Sequence, residues 1–279
     1  MRWFYDDLPG FRLGFKTKKR IFNKQSKFQR IRVFETDDWG RVLTLDSAIQ
    51  TTELDEFIYH EMIAHVPLFL HPNPKSVLII GDPDGGILRE VLHHKVKRVI
   101  LVDNDEGVIY AAKKYLSKIH SGSFYDRRVR VLVSNGAEFI KNFKKEFDVI
   151  IVGSIDSVSK KFCQDVAAAL ADKGIMAAQL GGIFSSWNEF RSAFQNIKKS
   201  FPKAAPFISA IPTRPSALWG LVVASKQISF DKQSRAKIRQ RYERMKSQLK
   251  YYNPEIHQAA FALPVFIKTA LKENKKSLL

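Results

Sequence analysis

Ser76-Val-Leu-Ile-Ile-Gly81-Asp-Pro-Asp-Gly-Gly86 is the stretch that decides the fold. A short run of β-branched and aliphatic residues breaks into a glycine-containing turn, and the amphipathic segment Ile87–His93 follows. A run this short and this rich in Val and Ile reads as a buried strand. The unit then recurs. Arg98–Val102 (RVILV), Val129–Val133 (VRVLV), Asp148–Val152 (DVIIV) and Ile175–Gln179 (IMAAQ) read as further strands, with Gly107–Leu116 and Gly136–Phe143 as helices between them. Strands buried on both faces and separated by helices predict a doubly wound α/β domain built on a parallel sheet.

Upstream the period changes. Gln29–Glu35 and Arg41–Leu45 alternate polar and apolar residues around the turn Thr36–Gly40, so they read as a hairpin. Phe11–Phe22 reads as a second hairpin, turning around Lys16–Lys19. After Thr52 the period becomes helical. Thr52 and Asp55 are placed to cap a helix whose Ile58, Met62 and Val66 share a face, and His71-Pro-Asn-Pro74 ends it. The expected plan is a small antiparallel β-domain over residues 1–53 and an α/β domain over 54–279.

Composition narrows the function classes. The chain has 279 residues, 45% hydrophobic, which excludes long-range disorder. No run approaches the ~18 apolar residues of a membrane helix, and Asp6 and Asp7 stand where a signal peptide needs apolar residues. The one cysteine, Cys163, excludes a disulfide framework and a multi-cysteine metal site, so a cytoplasmic location is expected. The net charge is +18, and residues 226–279 carry thirteen Lys/Arg against four Asp/Glu. Charge alone would permit a nucleic-acid partner, but Arg235–Lys250 reads first as a basic, solvated surface helix.

Ligands of open α/β sheets bind beyond the carboxyl ends of the strands. Here the first strand runs into Gly81–Gly86, where two aspartates would repel a phosphate and favour a cationic ligand. The second ends at Asp103, placed to accept from ribose hydroxyls; the third leads to Asn135-Gly136, the fourth to Gly153-Ser-Ile-Asp156. Each aspartate alone could be a helix cap. Together they favour a nucleoside site.

The chain resembles the polyamine aminopropyltransferases, the spermidine synthase family. The resemblance rests on Phe28–Phe34, Gly40–Asp46, Ala48–Glu53, Asp55–Phe69, His71–Gly81, Ile211–Gly220 and Tyr251–Pro264, in that order. It implies a methyltransferase-like Rossmann domain carrying a small N-terminal β-domain, assembled as a homodimer or homotetramer. It implies aminopropyl transfer from decarboxylated S-adenosylmethionine to putrescine, giving spermidine and methylthioadenosine, with no metal or further cofactor. By the same resemblance Gln50, Asp84, Asp103, Asn135 and Gly136 hold the donor, with Asp84 on its ammonium. Tyr59, His60, Gln179 and Trp219 line the acceptor channel, and Tyr59 and Asp156 serve catalysis. The chemistry explains the acids: a sulfonium, an ammonium and a diamine must gather in one place. An amine of pKa ~10.4 must also lose a proton, at a cost of about 4–5 kcal/mol at pH 7.

The departures lie at the site. Asp82 and Pro83 replace two glycines of the family's turn, Gly153 replaces an aspartate expected to act as the base, and Arg214 replaces a tyrosine. They make a catalytically silent, nucleoside-binding or basic surface-binding homologue the alternative reading. Restoring an aspartate at Gly153 is expected to raise transfer.

Overall fold

A computed structural model of the chain describes residues 2–8, 11–153, 158–214, 217–230, 235–273 and 277–278. β1 (Arg2–Leu8) and β2 (Phe11–Thr17) form a two-stranded antiparallel sheet. β3 (Lys19–Gln25), β4 (Arg30–Glu35), β5 (Arg41–Leu45) and β6 (Ala48–Thr52) form an antiparallel meander. The expected hairpin of Arg41–Leu45 on Gln29–Glu35 is present as β4–β5. The hairpin around Lys16–Lys19 is not. β2 pairs back to β1, placing Phe15 opposite Phe4, while β3 pairs forward to β4. The apolar cluster of Phe4, Phe15, Phe34, Val42 and Ile49 explains that choice, because it draws β1 and β2 onto the meander.

α1 (Glu56–Leu70) follows and ends before His71, as expected from the prolines. It is buried almost all round. Asp55 precedes it but makes no side-chain cap. One carboxylate oxygen instead accepts from Thr52 Oγ1 at 2.7 Å and the other from the Thr213 amide at 2.9 Å. A distant partner has displaced the local cap.

The remaining order is β7 (Ser76–Ile80), α2 (Gly86–Leu92), β8 (Arg98–Asp103), α3 (Glu106–Tyr115), α4 (Ser117–His120), β9 (Val129–Val133), α5 (Gly136–Phe139), β10 (Phe147–Val152), α6 (Lys160–Ala169), β11 (Leu170–Gly182), α7 (Trp187–Ser200), β12 (Lys203–Ala210) and β13 (Leu218–Ser225). The strands form one seven-stranded sheet in the order β12-β13-β11-β10-β7-β8-β9. It is parallel from β11 to β9, as the sequence pattern predicts, and the antiparallel pair β12–β13 extends it at one edge. Alternate residues feed opposite cores: Val77 and Ile79 meet α1 and the N-terminal meander, while Leu78 and Ile80 meet α6 and α7. Each such fully buried side chain contributes about 1.5–3 kcal/mol.

Two tethers seat the meander on the sheet. Asp105 caps α3 and accepts from Ser26 Oγ at 2.7 Å and Gln29 Nε2 at 3.0 Å. Arg41 donates to the Tyr115 carbonyl at 2.6 Å.

The C-terminal helices are α8 (Arg235–Tyr242), α9 (Pro254–Ala260) and α10 (Val265–Lys272). The basic segment therefore departs from expectation. Its helix stops at Tyr242, and it is not purely a surface element. Ile238 and Met245 are buried, and Arg241 donates to the carbonyls of Leu68, Phe69 and His71 at the end of α1. Just beyond, Glu61 of α1 accepts from the amides of Lys250, Tyr251 and Tyr252 at 2.7–2.9 Å. No helix among the described residues is long and apolar enough to cross a membrane.

Candidate active site

The chain leaves β7 to build β8 and β9 on one side, then returns to place β10 on the other side of β7. A crevice must open where the strand order reverses. A cleft of about 780 Å³ lies there, walled on its second side by the N-terminal sheets through Asp6, Ile49 and Gln50.

The turn after β7 supplies the acids. Gly81, Asp82 and Gly85 have φ of 77°, 67° and 84°, so Asp82 adopts a left-handed conformation that only glycine takes freely. Asp84 Oδ1 accepts from the Gly86 amide at 2.7 Å. Gly86 has no room for a Cβ, which would collide with the His60 ring. That close approach places His60 Nε2 3.4 Å from Asp84 and 3.6 Å from Asp82, while its Nδ1 meets Glu56 at 2.5 Å. Glu56 is held in turn by Arg89, which also pairs with Glu90.

Charge follows from this packing. Burial disfavours the imidazolium, but the two aspartates outweigh it and hold His60 well above its usual value. Asp84 is buried too, yet His60 and the Gly86 amide keep it below the usual carboxylate range. Asp82 moves the other way, raised by burial and by the neighbouring Asp84 charge. His60, Asp82 and Asp84 form the one group among the described residues with metal-ligand types and spacing, their donor atoms lying within 4.8 Å of one another. The imidazolium already serves as the cation between the carboxylates, and no metal is assigned.

At the end of β8, Asp103 lines the cleft and accepts from the Asp105 amide at 2.8 Å. Burial, the Asp105 charge and Asp82 push it up to about 6. After β9, Asn135 caps α5, its Oδ1 accepting from Ala137 and Glu138. Gly136 follows, where a Cβ would strike Ile80. Both residues line the cleft, so the cap and the site coincide.

The far wall is a linked set. Trp219 Nε1 donates to Gln179 Oε1 at 3.1 Å, and Gln179 Nε2 donates to the Gly153 carbonyl. Arg214 lines the cleft, its guanidinium 5.0 Å from the Trp219 ring and 5.7 Å from the Tyr59 ring, and donates to the Ile49 carbonyl. Tyr59 lies beneath it. Its hydroxyl is buried without a hydrogen-bond partner among the described residues, and burial first, then Asp82, holds it well above its usual value.

Of the residues singled out in the sequence, Gln50, Asp84, Asp103, Asn135, Gly136, Gln179 and Trp219 line one cleft. Tyr59 and His60 sit behind it, 3% and 1% exposed. Asp156 lies outside the described residues. Sequence reading gave no site role to Asp6, which is buried, accepts from the Ile49 amide at 2.8 Å and is raised by burial. It read Asp82 as one of two acids favouring a cationic ligand and as a departure from the family's turn, without a role of its own. The available signal for Asp82 was a charged residue inside a glycine turn.

Fold and site together define a class: a doubly wound α/β protein whose switch-point cleft suits a small cationic ligand. The comparisons with known proteins are more specific. Residues 56–234 match the spermine/spermidine synthase domain, and residues 2–53 match the spermidine synthase tetramerisation domain. A polyamine aminopropyltransferase of Thermotoga petrophila is 42% identical over 280 residues, covering 96% of this chain and 93% of that protein. A crystal structure of spermidine synthase in complex with the transition-state analogue AdoDATO superposes with TM-score 0.93 at 41% identity, over 98% of this chain and 95% of that one. The spermidine synthase of Thermotoga maritima gives TM-score 0.92 at 42% identity, over 97% and 95%. The chain belongs to the spermine/spermidine synthase family, a family of aminopropyltransferases.

Proposed function

We propose that the chain transfers the aminopropyl group of decarboxylated S-adenosylmethionine to putrescine, yielding spermidine and methylthioadenosine. The observation that carries this reading is the placement of Asp84 and Asp103 at the ends of adjacent strands, opening into one cleft. That spacing suits a donor with a ribose at one end and an ammonium at the other. The relatives' names and the analogue-bound structure support the same reaction. They lend no support to a silent homologue or to a nucleic-acid role.

In this reading the ionised Asp84 holds the donor ammonium and Asp103 accepts from the ribose. Gln50, Asn135 and Gly136 frame the nucleoside, Gly136 by letting backbone approach it closely. Gln179 and Trp219 shape the acceptor side, over Tyr59 and His60. The sulfur leaves as a neutral thioether, so its departure needs no acid. What the protein must supply is alignment of the amine with the carbon on sulfur, a negative potential for three cations, and a destination for one proton. The match of residues 2–53 to a tetramerisation domain supports a homotetramer, and a single buried thiol suits a cytoplasmic setting.

The test is mass-spectrometric detection of methylthioadenosine and spermidine from the purified protein with both substrates, beside an active relative. Product above the blank is expected. Its absence, with the relative active, would overturn the reading.

A further inference from the structure

We infer that Asp82 is the proton acceptor for the attacking amine, occupying from the end of β7 the space that a side chain at Gly153 would fill from the end of β10. The inference rests on the aminopropyl-transfer reading above.

Sterics carry it. A Cβ built on Gly153 would lie 2.7 Å from the Asp82 Cβ and 3.2 Å from the Asp82 amide nitrogen. The approach is fixed from both sides: the Gly153 amide donates to the Ile80 carbonyl at 2.8 Å, and its carbonyl accepts from Gln179. A side chain at Gly153 and the Asp82 Cβ therefore compete for one position at the two strand ends, and Asp82 holds it. Glycine would take this backbone freely, whereas an aspartate at φ 67° costs about 1–2 kcal/mol. Despite that cost the turn carries a carboxylate, and Asp82 lines the cleft.

Comparison of the cleft's carboxylates separates Asp82 from the rest. Asp84 is committed to the Gly86 amide and His60, and stays ionised. Asp103 accepts from Asp105 on the side expected to meet the ribose, and Asp6 accepts from Ile49 beside Arg214. Asp82 has a long contact of 3.4 Å to the Ile87 amide and the ion pair to His60. It is also a stronger base than an ordinary aspartate, because burial and Asp84 raise it. The titratable groups facing it are Tyr59 and His60 from α1, Asp84 from its own turn and Asp103 from the end of β8.

The step balances. The acceptor ammonium gives one proton to the Asp82 carboxylate. The freed nitrogen lone pair forms the bond to the carbon on sulfur. The carbon–sulfur electron pair stays on sulfur, leaving neutral methylthioadenosine and a protonated secondary amine. Asp82 then releases its proton to water. His60 is a positioning residue: its imidazolium, anchored by Glu56, fixes both carboxylates.

The expectation that an aspartate at Gly153 raises transfer is accordingly revised, since the two side chains compete for one space. The experiment compares Asp82→Asn, Asp82→Gly, Gly153→Asp and Asp82→Gly/Gly153→Asp with the unmodified protein. Asp82→Asn should lower kcat by about 10²-fold, lose the acid limb of the kcat–pH profile, and leave methylthioadenosine affinity, read by titration calorimetry, within about threefold. Gly153→Asp alone should fall below the unmodified protein. The double variant should recover at least about tenfold in kcat over Asp82→Gly, an outcome that a merely structural role for Asp82 does not produce.

Retention of kcat within threefold in Asp82→Asn overturns the inference while leaving the reaction intact. So does a double variant no better than Asp82→Gly, a gain from Gly153→Asp alone, or a nucleoside affinity that falls in step with the rate. Absence of methylthioadenosine from the unmodified protein overturns the reaction itself, and this inference with it.

Discussion

The two ends of the cleft are built on opposite electrostatic plans. The end assigned above to the donor gathers carboxylates at successive strand ends, Asp84 after β7 and Asp103 after β8, each accepting from a backbone amide, with His60 beside Asp84. The end assigned above to the acceptor is framed by aromatic rings and amides and carries a cation, Arg214, lying against Tyr59 and Trp219, with the buried Asp6 carboxylate beside it. On the proposed reaction a diamine enters past that guanidinium, and recognition of the donor is then electrostatic while that of the acceptor rests on shape and on the acids deeper in. The +18 net charge accentuates the contrast, since its long-range field opposes any polyamine.

The comparison can be broken by substitution. The largest effect is expected from Asp84→Asn, which removes the charge facing the donor ammonium. kcat/KM should fall about 10²–10³-fold, on the scale of losing one preorganised charged contact. Steady-state kinetics in both substrates should show the loss in the donor's constants; a loss confined to the acceptor's would collapse the distinction.

Asp103→Asn comes next. Methylthioadenosine affinity should weaken about tenfold by calorimetry, a single hydrogen bond to a charged group. The free protein should become more stable at pH 7, by up to about 3 kcal/mol, because the buried carboxylate is replaced by a neutral amide. The sign follows from the shift. Asp103 is pushed up to about 6 in the fold, above the ordinary aspartate value, so its neutral form stabilises the protein at low pH and that contribution is lost as pH rises through 6. Donor affinity should run the opposite way, strengthening through the same window as the carboxylate ionises. Melting temperatures and nucleoside affinity between pH 4 and 7 read both trends.

Arg214→Met should be milder and opposite in sense. Lifting a cation from the acceptor wall should lower the KM for putrescine three- to tenfold, about 1 kcal/mol, with donor KM unchanged. A higher putrescine KM would mean that Arg214 organises the acceptor site. Smallest of all, raising ionic strength from about 0.05 to 0.5 M should lower the putrescine KM about twofold by screening the net charge. A rise would show that attraction by the cleft outweighs the global field.

What the sequence disclosed follows the range of the interactions involved. β7 coincides with the run read as a strand because burial on both faces leaves a local signature in Val and Ile, and β9, a half-exposed edge strand, keeps enough of that signature in its three valines to coincide as well. That Asp84, Asp103, Asn135 and Gly136 line one cleft was legible because strand ends are local, whereas Gln50 came from the family resemblance alone. The misplaced hairpin at Lys16–Lys19 turned on Phe4 and Phe15 choosing each other. The expected Asp55 cap gave way to Thr213, far along the chain. Asp82 was visible as an anomaly but not as a substitute, since its relation to Gly153 exists only where β7 and β10 lie side by side. Spacing along the chain carries no record of such a contact.

The fastening of α1 bears on the order of events at the ribosome. This helix carries Tyr59 and His60, yet its last carbonyls are taken up by Arg241 and its Glu61 by the amides of residues 250–252. Those partners are translated late. Until they emerge, the helix that backs the site keeps open carbonyls and an unmatched glutamate, so a nascent chain long enough to contain every cleft residue still lacks a finished active site. Assembly of the cleft thereby waits on residues 241–252, and a chain lacking them would present α1 with its last carbonyls and Glu61 unmatched.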